Sequence, residues 1–487
     1  MEEMNEYIQQ RIGNLNSLKE IGIEPYGSRF NKTKPIEALI KEHKEGDEVE
    51  TAGRITALRE HGKSSFLDLM DSTSRIQAYI KADVIGTDIY TNIFKKLDIG
   101  DILGVKGKLF KTHTGETTIN AERIAILAKG LRPLPEKWHG LKDVDTRYRQ
   151  RYVDLIVNEE VRKVFQIRSR IISKLREFLE RRGFLEVETP MMQSMAGGAS
   201  GEPFKTHHNA LDIDLFLRLA PELYLKRLLV GGFDKVYEIN RNFRNEGISI
   251  KHNPEFTMLE VYEAYSDCEG MLKLTEEIFN YVAREVTGTH KIKFGEQDID
   301  LTPPWPRWSF AEEIKKRFDI NPDDSSQTWI KKLQKKGMDF KAKDITRSQI
   351  ANIITEMLEP ETDDKPIFVV DLFAELCPLA KRKKDNPLLT DRFELFIGGM
   401  EIANAYSELN DPIEQEKRFQ EQLVGQEGVK KIDEDFVRAL EYGMPPAGGL
   451  GIGIDRMVML FANQPSIRDV ILFPQLKAEN YVIRIVD

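Results

Sequence analysis

Hydrophobic and polar positions change period several times along the chain. Near the start, Ile8, Ile12, Leu15 and Leu18 recur at helical spacing and Gly22 offers a stop, which predicts a helix over residues 3 to 22. From about residue 47 the pattern becomes five short strand-like runs: VETAGRITAL, SSFLDLMD, RIQAYIKA, DILGVKGKLF and TTINAERIAIL. Turn formers and a short helical piece near TNIFKKL separate them. Residues 130–150 are rich in proline, glycine and charge and read as a linker. A long amphipathic helix is expected over 160–182, with Val161, Val164, Phe165, Ile171, Ile172, Leu175, Phe178 and Leu179 as its apolar stripe and Gly183 as its end. FLEVETP then reads as a strand stopped by Pro190. Beyond it, strand hairpins mix with helices.

These elements predict an α+β chain. Residues 1–46 are a helix and lead-in. Residues 47–129 suit a small five-stranded barrel of the oligonucleotide-binding (OB) kind, although a barrel with no ligand fits the same pattern. Residues 151–487 form a second domain, with a small helical excursion around 290–345 that holds Trp305 and Trp308.

Composition narrows this only a little. At 487 residues, 31% charged and 40% hydrophobic, the chain suits two or three domains with real cores. No stretch approaches ~20 consecutive apolar residues, so no membrane span is expected. The opening MEEMNEYIQQ lacks the apolar core of a signal peptide. Cys268 and Cys377 lie far apart, and eight histidines, including the pair His207 and His208, form no metal-ligand spacing. A reducing, cytoplasmic setting fits. The net charge of −9 argues against a non-specific nucleic-acid coat but not against a specific RNA binder, which needs only a local basic patch. The run KRKK at 381–384 reads first as a solvated loop and second as an RNA contact.

Three segments carry candidate chemistry. In KVYEINRNFRNEG and PEFTMLEVYEAY, two strands flank a polar loop. Period-2 counting puts Glu238, Asn240, Asn242 and Arg244 on one face, with Phe256, Met258, Glu260 and Tyr262 together on the return strand. Such a face is poor core and good pocket: an arginine fork suits a phosphate and an aromatic ring suits a base. A solvated hairpin face with ion pairs is the plainer alternative. In AGGLGIGIDRMVMLF the glycines allow a strand and helix to approach closely, with Arg456 at the helix start. This run is neither a dinucleotide fingerprint nor a P-loop. In DRFELFIGGMEIANAYSELND, Gly398 and Gly399 break a hairpin with Glu394 on one arm and Glu401 on the other. Two such carboxylates can share a hard divalent cation, magnesium being usual beside phosphates. Paired surface carboxylates are the alternative. Asn404, Tyr406 and Glu408 alternate on one face, and Glu401 joins it only if a bulge lies near Ala403.

Together, and in this order, the segments resemble motifs 2 and 3 of the class II aminoacyl-tRNA synthetases. The helix at 160–182 with FLEVETP resembles motif 1, which makes the dimer interface. RNFRNEGIS, HNPEFTMLE, LRLAPELYLKRLLVGG, ANAYSELND and GMPPAGGLGIGIDR, with GKSSFLDLMD and LRPLPEKWHGL in the front domain, extend the resemblance over nearly the whole chain to the lysyl-tRNA synthetase family. It implies an OB-fold anticodon-binding domain followed by a catalytic domain built on an antiparallel sheet flanked by helices. It implies ATP, L-lysine and tRNA(Lys) as substrates, Mg2+ as cofactor, and a homodimer formed through 160–190.

The resemblance also implies roles. Arg244 would hold the α-phosphate and the substrate carboxylate. Phe256 would stack on adenine with Arg456 on its other face, and Glu246, His252 and Asn253 would line the ATP site. Glu394 and Glu401 would bind magnesium. Gly198 and Glu222 would fix the α-amino group, while Glu408 and Tyr262, with Glu260, Asn404 and Tyr406 alongside, would receive the lysine side chain. On the barrel, Phe66 would stack on an anticodon base while Arg59, Gln77 and Glu116 read a U-rich anticodon.

The sequence departs from the family pattern at Gly201, Lys251, Phe373 and Cys377. Lys251 stands where an arginine is usual and lacks its planar fork, so a weaker phosphate contact is expected there. APELYLK around Glu222 and SELND around Glu408 argue against an aspartate or asparagine enzyme. The barrel argues against the lysine-attaching paralogue that modifies a translation factor. Intact Arg244, Glu394, Glu401, Glu408 and Arg456 argue against a catalytically dead RNA-binding regulator.

Overall fold

The computed structural model describes residues 2–135, 141–195, 197–199, 201–337, 347–358, 360–362, 364–425 and 432–478. The chain divides into two compact units, Met1–Lys142 and Asp143–Asp487. Among the described residues no helix is long and apolar enough to cross a membrane.

In the first unit, the helix Glu2–Glu20 buries Leu15 and Leu18, and Gly22 ends it with a φ of 77°. Five strands follow: β1 (Glu48–His61), β2 (Ser64–Met70), β3 (Arg75–Lys81), β4 (Ile102–Lys111) and β5 (Thr117–Ala128). They close into a barrel in the order β1-β2-β3-β5-β4. Alternation sends Ile55, Leu67, Leu69, Ile76, Ala78, Val105 and Ile119 inward. The outward face of β1, β2 and β3 holds Arg59, Phe66 and Tyr79, because Arg59 pairs with Phe66 and Phe66 with Tyr79.

The second unit begins with the helix Val144–Arg149, capped by Asp143, within the stretch read as linker. Residues 136–140 of that stretch lie outside the described residues. The amphipathic helix runs Glu159–Arg181. FLEVETP contributes only the two-residue β6 (Leu185–Glu186), which pairs in parallel with a later strand. A small sheet of β7 (Met192–Gln193), β8 (Lys205–His208) and β9 (Ile213–Leu217) follows. Then come β10 (Lys235–Phe243) and β11 (Glu255–Ala264), a hairpin of β12 (Lys291–Phe294) and β13 (Gln297–Asp300), and β14 (Arg307–Ser309). The last strands are β15 (Ile367–Val370), β16 (Arg392–Ile397), β17 (Met400–Ser407) and β18 (Ala447–Gly453). Eight of them form one sheet in the order β14-β15-β16-β17-β18-β11-β10-β6.

One sheet face packs on helices. Leu259, Val261, Leu395, Ala405, Leu450 and Ile452 meet Leu175, Leu179, Ile278, Phe279, Met457 and Leu460 from the helices Glu159–Arg181, Cys268–Thr287 and Ile454–Phe461. The opposite face, reached by the alternate residues of the same strands, is left for chemistry.

The excursion at 290–345 is only partly helical. KIKFGEQDID alternates about a glycine turn, a hairpin signal, and forms β12–β13, while β14 joins the main sheet. Trp305 packs under that sheet, 5.4 Å from Phe368. Helices Phe310–Phe318 and Ser326–Gln334 follow, and residues 338–346 lie outside the described residues. Phe373 belongs to the core these helices make, stacked on Trp329 at 5.0 Å. This departure is thus matched by local packing rather than by a change in the cavity wall.

Candidate active site

The site is assembled by strand register. In the β10–β11 hairpin Glu238 pairs with Glu260, Asn240 with Met258 and Asn242 with Phe256. Directly paired residues share a face, so the two expected rows form one surface. The expected bulge exists. Leu395 pairs with Ala403 but Phe396 with Glu401, leaving Ile402 as the extra residue. That slip turns Glu401 to the side of Asn404 and Tyr406, and all three line one cavity with Glu394. The turn between the arms takes positive φ at both Gly398 (57°) and Gly399 (70°).

The glycine run allows the expected close strand–helix approach at Gly448, where a Cβ would lie 2.8 Å from Met271 on the helix Cys268–Thr287, and it also shapes the site. Leu450 and Ile452 face the core, so Gly449, Gly451 and Gly453 all face the site. A Cβ on Gly449 would lie 1.8 Å from Glu408 Oε1. Here the alternating glycines empty the floor of side chains.

Two cavities share Arg244, Met258, Glu401, Asn404 and Gly451 and so form one groove. The larger, about 710 Å³, is also lined by Gly198, Glu222, Glu260, Tyr262, Glu394 and Tyr406. The smaller, about 210 Å³, adds Glu246, Lys251, His252, Asn253, Phe256 and Arg456. Arg244 sits at the junction. Its guanidinium carbon lies 5.2 Å from the Phe256 ring, and its buried Nε has no hydrogen-bond partner. Burial pulls its pKa below the usual arginine value, against the opposing charges of Glu246, Glu401 and Glu260.

Arg456 donates to the Glu401 carbonyl at 2.5 Å and lies 3.3 Å from His252 Nε2. Burial, then the Arg456 charge, lowers the His252 pKa, favouring its neutral form. Asp455 fixes the start of the Arg456 helix, accepting from Thr257 N–H at 2.7 Å and from Arg168 at 2.6 Å. Lys251 donates to the Gly399 carbonyl at 3.0 Å, so it clasps the acidic hairpin's turn.

Beneath the larger cavity lies an acidic floor. Glu222, Glu260 and Glu408 are all buried. Tyr406 donates to Glu222 at 2.7 Å, and Tyr262 to Glu260 at 2.9 Å. Burial, then the Glu222 charge, pushes Glu260 up to about 8. Glu408 is not on the cavity wall. It is fully buried under Gly449, and its Oε2 meets the Lys226 ammonium. Lys226 also pairs with Glu222 at 2.6 Å.

Glu394 and Glu401 suit a divalent cation. Both face the cavity beside Arg244, and burial, with the Glu401 charge adding to it, raises Glu394 to about 7 against the pull of Arg392. A cation between the two would relieve that repulsion. Among the described residues no group of three or more acidic, histidine or cysteine side chains gathers to hold a metal, so phosphate and water oxygens would complete the shell.

On the barrel, the four expected residues share a face. Phe66 stacks on Tyr79 at 4.4 Å. Gln77 donates to Glu116 at 3.2 Å, and Arg59 pairs with Asp68 at 2.8 Å.

Several site residues were not singled out from the sequence. Lys226 follows Glu222 by one helical turn, a spacing that places them together. Arg392, two residues before Glu394, bonds it at 2.5 Å and was legible by period 2. Tyr79 was legible as the residue opposite Phe66. Arg168 has no local signal, because its partners Asp455 and Thr257 lie far along the chain.

Residues 143–477 match the family model described as tRNA synthetases class II (D, K and N). Residues 49–127 match the OB-fold nucleic acid binding domain. The chain is 53% identical over 485 residues to the lysine–tRNA ligase of Moorella thermoacetica, covering 98% of this chain and 99% of that one. It is 54% identical to that of Pelotomaculum thermopropionicum, covering 98% and 96%, and 47% identical to that of Bacillus subtilis, covering 98% of each. With its OB barrel, its class II sheet and these relatives, the chain belongs to the lysine–tRNA ligase family of class II tRNA synthetases.

Proposed function

We propose that the chain activates L-lysine with ATP to lysyl-adenylate and pyrophosphate, then transfers the lysyl group to the 3′-terminal ribose of tRNA(Lys). The observation that carries this reading is one groove with Arg244 at its junction and the buried Glu222, Glu260 and Glu408 below.

In the first step a lysine carboxylate oxygen attacks the α-phosphorus, and the bond to the pyrophosphate oxygen breaks. The nucleophile is already anionic, so no general base is needed. Alignment and charge neutralisation supply the acceleration. Arg244 holds the α-phosphate and the carboxylate. Phe256 and Arg456 sandwich adenine, with Glu246, His252 and Asn253 along the nucleotide. Glu394 and Glu401 would hold magnesium, whose charge offsets that of the phosphates. Gly198 and Glu222 take the α-ammonium. Glu260, Tyr262, Asn404 and Tyr406 surround the side chain, and Glu408 attracts its ammonium from beneath Gly449. An aspartate side chain would meet this floor with like charge. In the second step the ribose hydroxyl displaces AMP from the acyl carbon.

On the barrel, Phe66 stacks on a base of the anticodon, while Arg59, Gln77 and Glu116 read its edges. A hollow of mixed apolar and polar residues supports a homodimer. Phe165 and Ile172, on the helix Glu159–Arg181, line a hollow with Leu472 among the polar Ser169, Ser173, Arg176 and Glu177, and nearby in sequence Leu185 is 47% exposed. The two cysteines, both buried free thiols, suit a reducing, cytoplasmic setting.

Charging purified transfer RNAs tests the reading. Lysine on tRNA(Lys) alone supports it. Charging with aspartate or asparagine overturns the specificity, and no charging at all overturns the enzyme.

A further inference from the structure

We propose that Lys226 is a specificity-determining positioning residue, a fixed internal ammonium that cancels one of the three floor carboxylates and leaves room for two more positive charges. Those two are the α-ammonium and the side-chain ammonium of the amino acid. The inference rests on the functional reading above.

Lys226 is fully buried on the helix Glu222–Val230. Its Nζ lies 2.6 Å from Glu222 Oε1, touches Glu408 Oε2 and sits 5.5 Å from the centre of the Tyr406 ring. It therefore bridges the carboxylate assigned to the α-amino group and the one assigned to the side chain. Burial works against this ammonium, but Glu222 and Glu408 outweigh it and hold the Lys226 pKa above the usual lysine value. Glu408 Oε1, also buried, has no hydrogen-bond partner, so the floor keeps an acceptor open for a second cation.

The charge count then selects the substrate. Glu222, Glu260 and Glu408 against Lys226 leave two uncompensated negative charges when all are ionised. A diammonium amino acid cancels both, and its own carboxylate is met by Arg244. A neutral side chain leaves one buried charge unpaired, and an acidic side chain sets its own negative charge beside that one. Other charges around the floor are already matched. Arg218 pairs with Glu238 at 2.7 Å, and Arg392 with Glu394 at 2.5 Å. Tyr262, Tyr406 and Cys377 also face the cluster, and burial keeps all three in their neutral forms. Lys381 lies further out, its pKa lowered by its own burial.

The empty floor carries protons in place of the substrate, since burial raises both Glu260 and Glu408. Lysine must displace them, so kcat/KM for lysine should rise with pH along a limb with its midpoint near 8. Lys226 opposes proton uptake at Glu408, so removing it makes Glu408 hold its proton more tightly and carries the limb upward, while Glu260 keeps its own cation, Arg218.

The experiment measures lysine-dependent ATP–pyrophosphate exchange against pH for the full chain and for Lys226→Met, Lys226→Gln and Lys226→Arg. In Lys226→Met the KM for lysine should rise ~100-fold. Its ATP KM should stay within about twofold, and its pH limb should move up by about one unit. Lys226→Gln replaces it if the methionine variant does not fold. Lys226→Arg keeps the charge and should keep the limb in place. A neutral variant with unchanged lysine KM and limb overturns the proposal, as does a wild-type profile flat from pH 6 to 8. Absence of any lysine-dependent exchange in the wild type would instead overturn the functional reading.

Discussion

The two candidate binding faces of this chain treat charge in opposite ways. On the barrel, Arg59 and Glu116 are exposed, Phe66 and Tyr79 are half-buried around them, and the buried Asp68 is already met by Arg59 and Arg75. At the catalytic floor, Glu260, Glu408 and Lys226 are withdrawn from water. A charge in water is screened and can be lost cheaply, whereas a buried partner removed leaves its mate unpaired. The catalytic floor should therefore punish single substitutions far more than the barrel face. The barrel face can act by stacking and edge contacts that form only when RNA arrives.

The largest effect is expected at the junction of the groove. Arg244→Ala should lower kcat/KM for pyrophosphate exchange by about 10³-fold, the scale for losing a preorganised group at a developing charge. Unchanged exchange would dissolve the contrast between the faces. Next, Glu408→Gln should raise the lysine KM by ~100-fold while the ATP KM stays within about twofold. Equal kinetics would count against its role toward the ammonium. Gly449→Ala, whose new Cβ would collide with Glu408 Oε1, should raise the lysine KM by ~10-fold or more through forced repacking. A neutral result would mean the glycine floor is dispensable. The smallest effect belongs to the barrel. Phe66→Ala should weaken tRNA charging by ~1–3 kcal/mol and leave lysine-dependent exchange intact. Loss of both steps would make the barrel's aromatic face structural instead.

The sequence made the strands and their faces legible where alternation was strict. RIQAYIK, EFTMLEVYEA and AGGLGIG each sort core from site by parity, and the bulge before Ala403 followed from one residue being out of phase. Long-range partners were not legible. Arg168 reaches Asp455 across 287 residues, and no local pattern encodes that meeting. The depth of Glu408 was missed for a related reason. Period 2 gives a side chain's direction but not what covers it, and here the cover comes from Gly449 on a neighbouring strand and Lys226 on a helix. The helical reading of 290–345 gave too little weight to the alternation around Gly295.

The most direct measurement is wild-type ATP–pyrophosphate exchange with lysine, aspartate and asparagine compared side by side at fixed ATP and magnesium. Exchange driven by lysine alone is the expected result. Exchange driven by aspartate or asparagine at a comparable rate would contradict an acidic floor that selects a second ammonium.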